Sequence, residues 1–281
     1  MISESTLSEG MRAIGPIAGY SRSCMSTSLY LEKYKLLLDA GPLSSFTKGS
    51  VDANKILISH FHHDHWSGLI GLLGLKKCRD RFHPVHIYSP RGSMWFLKSL
   101  LMELKNRREL SIVLTPDPKS LISRQRRIPV VLHALEGNQT ADTGDGLMIE
   151  AFDSIHRCES IGFKLSARRN GASTWSRILT YTGDTNVQGL NDDALSSPVL
   201  ITECTYLEHE KTRKAMERGH MAMDNVVEIE SKFRGDDILL IHFKGNYTDE
   251  EISGAIESRN HRGVKPRAIC TEISDAKYAP E

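Results

Sequence analysis

Residues 59–68 read Ser-His-Phe-His-His-Asp-His-Trp-Ser-Gly, and within that stretch His60, His62, Asp64 and His65 have the types and spacing that can do chemistry. Imidazole nitrogens and carboxylate oxygens are the donors that zinc-class cations take. The stretch follows the apolar run Lys55-Ile56-Leu57-Ile58, which reads as a buried strand emerging into a loop. In extended backbone, positions i and i+2 face the same way, so His60 and His62 can chelate one ion. Asp64 and His65, past the bend, reach a neighbouring one. His63 falls outside this register and is expected to point away. The competing reading is a solvated histidine-rich loop.

The spacing resembles the His-x-His-x-Asp-His signature of the metallo-β-lactamase superfamily, and further donors follow in order. Asp39 closes the run Leu36-Leu37-Leu38, His156 follows Ile149 to Ile155, Asp184 sits in Thr182-Gly183-Asp184-Thr185, and His242 ends Ile238 to Ile241. Taken singly, Asp39 reads equally as a turn former before glycine and His156 as a structural histidine. Together with the loop they suffice for two metal positions with a shared oxygen ligand and an open water position. We assign His60, His62 and His156 to the first ion, Asp64, His65 and His242 to the second, and Asp184 to the bridge. Asp39 would support the loop from behind by hydrogen bonding. Two cations roughly 3.5–4 Å apart lower the pKa of a water between them and neutralise charge on a phosphoryl or carbonyl oxygen. Nitrogen and oxygen donors suit two Zn2+, and Mn2+ or Fe2+ fit the same set.

The elements that must position these residues are short apolar strands between polar or glycine-bearing turns: Ser28–Leu31, Lys35–Asp39, Lys55–Ser59, Pro129–His133, Leu147–Phe152, Gly162–Ser166, Ile178–Thr182, Pro198–Glu203 and Ile238–His242. Helical periodicity marks Ser93–Lys105, Asp224–Phe233 and Asp249–Ser258, the last with Thr248 or Asp249 as N-cap. Early strands are expected to pair as meanders and later ones to alternate with helices. That pattern suits an αββα sandwich, two mixed β-sheets packed face to face and flanked by helices, as one domain over residues 1–281. The glycine at 183 is expected to let the backbone approach a ligand.

With 281 residues and 40% hydrophobic content the chain can bury a large core, and a net charge of +1 excludes a surface that is basic throughout. Arg107-Arg108 and Arg124-Gln-Arg-Arg127 form a local basic stretch whose ordinary reading is a solvated face. Cys24, Cys78, Cys158, Cys204 and Cys270 are scattered and odd in number, which argues for reduced thiols. No secretory or transmembrane segment is expected, and the reading is a cytoplasmic protein without membrane contact.

Beyond the metal motif, several blocks resemble ribonuclease Z, the endonuclease that trims the 3′ trailer from precursor tRNA. His156-Arg-Cys-Glu-Ser160-Ile-Gly162-Phe163 resembles that family's His followed by Ser-x-Gly-Tyr, and Gly183-Asp184-Thr185 its Gly-Asp-Thr. Glu203-Cys-Thr205 resembles its glutamate block, Gly219-His220-Met-Ala its second histidine block, and Leu240-Ile-His242-Phe243-Lys244-Gly-Asn-Tyr247 its Leu-x-His-Phe-Ser-x-Arg-Tyr. The resemblance implies that the catalytic residues are Asp64, His220 and Glu203, with Glu203 orienting His220 and His220 protonating the departing 3′ oxygen. It also implies an RNA substrate, precursor tRNA, and a homodimer in which one subunit helps hold substrate for the other.

Three departures bear on the substrate. The span from His156 to Asp184 is too short for the long arm that many family members use to grip tRNA. Lys244-Gly-Asn246 stands where the family has Ser-x-Arg, and Met221-Ala222 lacks the hydroxyls of Ser-Thr. A hydrolase of small phosphodiesters such as cyclic nucleotides is therefore the alternative. A non-catalytic partner protein on the same fold is disfavoured, because the full donor set is kept.

Overall fold

Successive side chains of a strand face opposite ways, and here burial on both faces requires a cover on each. The computed structural model describes residues 7–118, 126–168, 173–259, 261, 264 and 266–269. In chain order it forms α1 (Glu9–Ile14), β1 (Ile17–Ser23), β2 (Ser26–Leu31), β3 (Leu36–Leu38), β4 (Lys55–Leu57), α2 (His63–Trp66), α3 (Leu69–Cys78), β5 (Val85–Pro90), α4 (Met94–Asn106), β6 (Ile112–Leu114) and β7 (Ile128–Leu135). There follow β8 (Thr140–Asp142), β9 (Leu147–Asp153), β10 (Ile161–Arg168), β11 (Trp175–Tyr181), β12 (Val199–Glu203), α5 (Thr212–Glu217), α6 (Met223–Lys232), β13 (Asp237–Ile241), β14 (Phe243–Lys244), α7 (Asp249–Glu257) and β15 (Arg267–Ala268).

One sheet runs β14-β1-β2-β3-β4-β5-β7-β6 and the other β15-β13-β12-β11-β10-β9-β8. Both mix parallel and antiparallel pairs. Leu36, Leu38 and Leu57 from the first sheet and Ile149, Phe163, Leu179, Ile201 and Ile241 from the second fill the space between them. The alternate residues Leu37, Ile56 and Ile87 pack outward against Leu69, Leu72 and Leu73 of α3 and Leu97 and Leu101 of α4. Leu200, Ile238 and Leu240 pack outward against Val226 and Ile229 of α6 and Ile252 of α7. The αββα expectation holds layer by layer.

The expected connectivity holds only in part. The strands β8 to β11 form a second antiparallel meander rather than alternating with helices. Helices instead connect the parallel strands β4, β5 and β7 of the first sheet. Of the basic stretch, Arg124 and Gln125 lie outside the described residues, Arg126 pairs with Asp80, and Arg107 pairs with Glu103 on an exposed face. Cys24, Cys78, Cys158 and Cys204 are thiols, and Cys270 lies outside the described residues. Among the described residues no helix is long and apolar enough to cross a membrane.

A polar stack in the first sheet gives the fold a pH dependence. His133 on β7 lies parallel to Tyr88, ring centroids 4.3 Å apart, and its Nε2 is 3.0 Å from His86 Nδ1. Burial, then the neighbouring His86, pushes its pKa from the ordinary 6.5 down to about 4. A depressed folded-state pKa means that the unfolded chain takes the proton first. Stability is therefore fully present above pH 6.5 and lost as pH falls through about 4. The melting-temperature gap between the protein and His133→Gln should narrow across that window, and a gap constant with pH would remove His133 from the account.

Candidate metal centre

The donors gather because strands that share a direction end together. β3 and β4 are parallel neighbours in one sheet, and β11, β12 and β13 are parallel neighbours in the other. Asp39, His60, Asp184, Glu203 and His242 all lie at or just past the carboxyl ends of these strands, the end at which parallel sheets hold ligands. A bridge between His60 and Ser160 and a hydrogen bond from Ile161 N to Ser59 O, 3.0 Å, tie the histidine-rich loop to the opposite sheet.

Backbone outliers aim several of these side chains. Asp39 and His242 take left-handed backbone, φ 55° and 60°, immediately after their strands. Such a conformation disfavours any residue with a Cβ and persists only where surroundings hold it. The His242 N–H donates to Ser21 Oγ at 3.0 Å and the Asp39 N–H to Leu57 O at 2.8 Å. Gly183, φ 59°, is required by contact with the protein itself, since a Cβ there would lie 2.6 Å from Ser59 Cβ.

All seven expected donors converge. His62 Nδ1 lies 3.1 Å from both His60 Nε2 and His156 Nε2. His242 Nε2 is 3.4 Å from Asp64 Oδ2, and His65 Nε2 is 3.8 Å from the same oxygen. Asp184 Oδ2 stands between the two groups, 3.7 Å from His60, 3.5 Å from His65 and 3.2 Å from His242. His63 is set apart, its Nε2 3.1 Å from Cys24 O.

Hydrogen bonds behind the histidines decide where their protons go. Ser59 Oγ donates to Asp39 Oδ2 at 2.9 Å and so accepts from His60 Nδ1 at 3.0 Å. His65 Nδ1 donates to Asp39 Oδ2 at 2.6 Å, and His156 Nδ1 to Gly219 O at 2.8 Å. Thr205 Oγ1 donates to Glu203 Oε2 at 2.7 Å and so accepts from His242 Nδ1 at 3.1 Å. With Nδ1 so engaged, each of these rings has only Nε2 left to turn toward its neighbours. Lone pairs packed this closely repel unless a cation lies among them. His65 Nε2 and Asp184 Oδ1 are buried without a hydrogen-bond partner, a cost of roughly 1–3 kcal/mol each if nothing were bound.

The electrostatics point the same way. Burial, followed by the nearby His65, holds His60 well below the usual histidine range, so it stays neutral. Burial would also lower His65, yet the Asp184 and Asp39 carboxylates pull it up to about 10. Burial would raise Asp184, but His242, His65 and His60 keep it ionised. Ionised carboxylates beside imidazoles whose Nδ1 atoms are already engaged fit divalent cations, whose charge takes the place of the proton that His65 otherwise holds.

Beside this set, His220 Nδ1 donates to Glu203 Oε1 at 2.9 Å, and the ring stacks on His242 with centroids 5.5 Å apart. Glu203 is fully buried and also accepts from Thr185 N at 3.0 Å and Met221 N at 3.1 Å. Burial disfavours the charged form of His220, but Glu203 raises its pKa to about 9. Sequence reasoning missed the parts that support this arrangement. Thr205 touches Glu203, His220 and His242, and its signal was the Glu-x-Thr alternation at a strand end. Tyr181, whose hydroxyl donates to Asp39, and Gly219, whose carbonyl holds His156, come from distant segments and left no local signal. Cys158 Sγ also lies among the donor atoms of His60, His62 and His156.

The family description "Beta-lactamase superfamily domain" matches residues 35–243. The tRNase Z TRZ1 of Arabidopsis thaliana is 25% identical over 86% of this chain and 90% of its own. A ribonuclease Z of Halalkalibacterium halodurans is 26% identical over 73% of this chain and 74% of its own. Among solved structures, the short form of human tRNase Z superposes with a TM-score of 0.58 at 23% identity, covering 83% of this chain and 92% of that one.

Proposed function

The chain belongs to the β-lactamase superfamily, and from that membership we propose that it is a metal-dependent phosphodiesterase of ribonuclease Z type that removes the 3′ trailer from precursor tRNA. The observation that carries the reading is the Glu203–His220 pair, set beside a complete donor cluster. Breaking a diester releases an alkoxide that needs a proton, and a protonated imidazole held by a buried carboxylate is placed to supply it. The curated relatives of similar length carry tRNase Z and ribonuclease Z names, which supports the substrate class.

In this proposal His60, His62 and His156 would hold one cation, Asp64, His65 and His242 the other, and Asp184 would serve both. The cations, taken as zinc for their histidine-rich surroundings, supply an activated water and neutralise charge on the phosphoryl oxygens. Asp39 fixes His65 and, through Ser59, His60 in the tautomer that leaves Nε2 available. Glu203 holds His220 by Nδ1, so the opposite edge of the ring, at Nε2, carries the proton that the departing 3′ oxygen takes. A cytoplasmic homodimer belongs to the same reading.

A second reading, hydrolysis of small phosphodiesters, draws on two observations. Only residues 169–174 join β10 to β11, leaving no length for a gripping arm, and Lys244 is exposed in place of a guanidinium fork. Activity of the purified protein on a precursor tRNA, on cyclic nucleotides and on bis-p-nitrophenyl phosphate decides between them. We expect a single cut at the trailer junction and poor turnover of cyclic nucleotides. Preference for the cyclic nucleotides would overturn the RNA reading.

A further inference from the structure

We propose that Cys158 is a further protein donor at the first metal position, so that His60, His62, His156 and Cys158 together hold a thiophilic cation. The inference rests on reading the cluster as a metal centre, and it adds to that reading a residue that the histidine pattern does not predict.

The loop between β9 and β10 is built to present this side chain. Burial alternates along it: His156, Cys158 and Ser160 face inward while Arg157 and Glu159 are exposed. The chain bends at His156, Arg157 and Cys158, and the bend turns the His-x-Cys pair toward the loop that carries His60 and His62. Both ends of the loop are pinned. Ser154 N donates to Ser160 O at 3.1 Å, and the Glu159 carboxylate accepts from Gly92 N at 2.7 Å and Ser93 Oγ at 2.8 Å. Cys158 Sγ and the donor nitrogens of His60, His62 and His156 all lie within 4.8 Å of one another.

Independent features point to a ligand at this spot. The nitrogens of His60 and His156 that face the sulfur have no proton to share, because Nδ1 of each ring donates elsewhere. His60 is completely buried, as are the unpartnered His65 Nε2 and Asp184 Oδ1 next to it. As a ligand Cys158 would be the thiolate, its proton released to solvent and its sulfur lone pair given to the cation, with no change of oxidation state.

Thiolate is a soft donor that favours zinc or cobalt over manganese, which prefers oxygen. With the shared Asp184 counted, Cys158 would give the first position five protein donors and leave four at the second, Asp64, His65, His242 and Asp184, so the two positions would differ in donor number and in softness.

The test is titration of the metal-stripped protein with Co2+, followed by absorption. We expect visible d–d bands together with a near-ultraviolet sulfur-to-cobalt charge-transfer band, and Cys158→Ser should lose the second and keep the first. The variant should also lose zinc affinity by about 10- to 100-fold, the range set by supporting interactions at such sites, or more. In the unmodified protein zinc should protect the peptide containing Cys158 from alkylation, a readout that needs no variant. Visible bands without the charge-transfer band, or alkylation indifferent to zinc, would overturn the proposal and leave the metal centre standing. No cobalt bands at all from the folded protein would overturn both.

Discussion

Asp184→Ala is expected to reduce hydrolysis to background, while Asp39→Asn should lower it only about 10- to 100-fold. The two carboxylates are both fully buried and both within reach of His65, so burial alone does not rank them. Their partners do. Asp184 Oδ2 faces His60, His65 and His242, and its Oδ1 has no hydrogen-bond partner, so this side chain spends its charge on whatever the cluster binds. Asp39 spends its charge on the protein: it accepts from Ser59 N at 2.7 Å, from Ser59 Oγ, from His65 and from the Tyr181 hydroxyl. Asparagine keeps one acceptor oxygen and loses the other, which disturbs the tautomer of His65 and costs folding stability on the order of 1–3 kcal/mol. Turnover, elemental analysis and melting temperature measured on both variants separate these effects. We expect Asp184→Ala to melt close to the parent in the metal-stripped state, with under one metal ion per chain after reconstitution where the parent takes about two. Equal losses of turnover in the two variants would undo the assignment of Asp184 as bridge and Asp39 as support.

The parts of this centre legible in the sequence share one property: their signal is local. The His60–His65 loop announces itself because period-two backbone and a following bend are written in consecutive residues, and the strands beneath it are apolar runs bounded by turns. β1 was not legible, because Gly19, Ser21 and Arg22 dilute its apolar character. Its glycine is there because a Cβ would lie 2.2 Å from Ser28 O, and its serine because Ser21 Oγ receives the His242 N–H. α3 was hidden for a related reason. Gly71 and Gly74 each cost a helix roughly 1 kcal/mol relative to alanine, and burial of Leu69, Leu72 and Leu73 against the first sheet outweighs them. Thr205 and Cys158 stood inside blocks already noticed, yet what they touch lies on other strands, so their contribution appears only once the two sheets are packed.

His220→Ala should leave metal content and substrate binding nearly intact while lowering turnover of a natural diester by roughly 10²–10⁴-fold, the usual range for a general acid. The geometry explains why the ring is suited to that role. Its Nδ1 is engaged by Glu203 at 2.9 Å and approached by Thr205 Oγ1 at 3.3 Å, so the proton to be donated sits on the opposite nitrogen. The raised pKa of about 9, in which Glu203 overcomes the effect of burial, means that the ring carries this proton at neutral pH. The position also admits a rival role. His220 Nδ1 is 3.9 Å from Asp184 Oδ2, close enough for the imidazole to be a further metal donor if it let go of Glu203. The leaving group discriminates between the two. An acid matters most where the departing oxygen is a poor leaving group, so a ribose alkoxide should suffer the full loss, whereas a p-nitrophenolate, which departs without help, should suffer much less. A lost ligand would instead weaken the metal site and slow both substrates alike. Glu203→Gln should give a fainter form of the acid pattern, because an amide still accepts a hydrogen bond from Nδ1 but no longer favours the imidazolium. If both substrates lose activity equally, or His220→Ala strips the metal, then the ring serves the metal rather than the proton, and the phosphodiesterase reading loses its main chemical support.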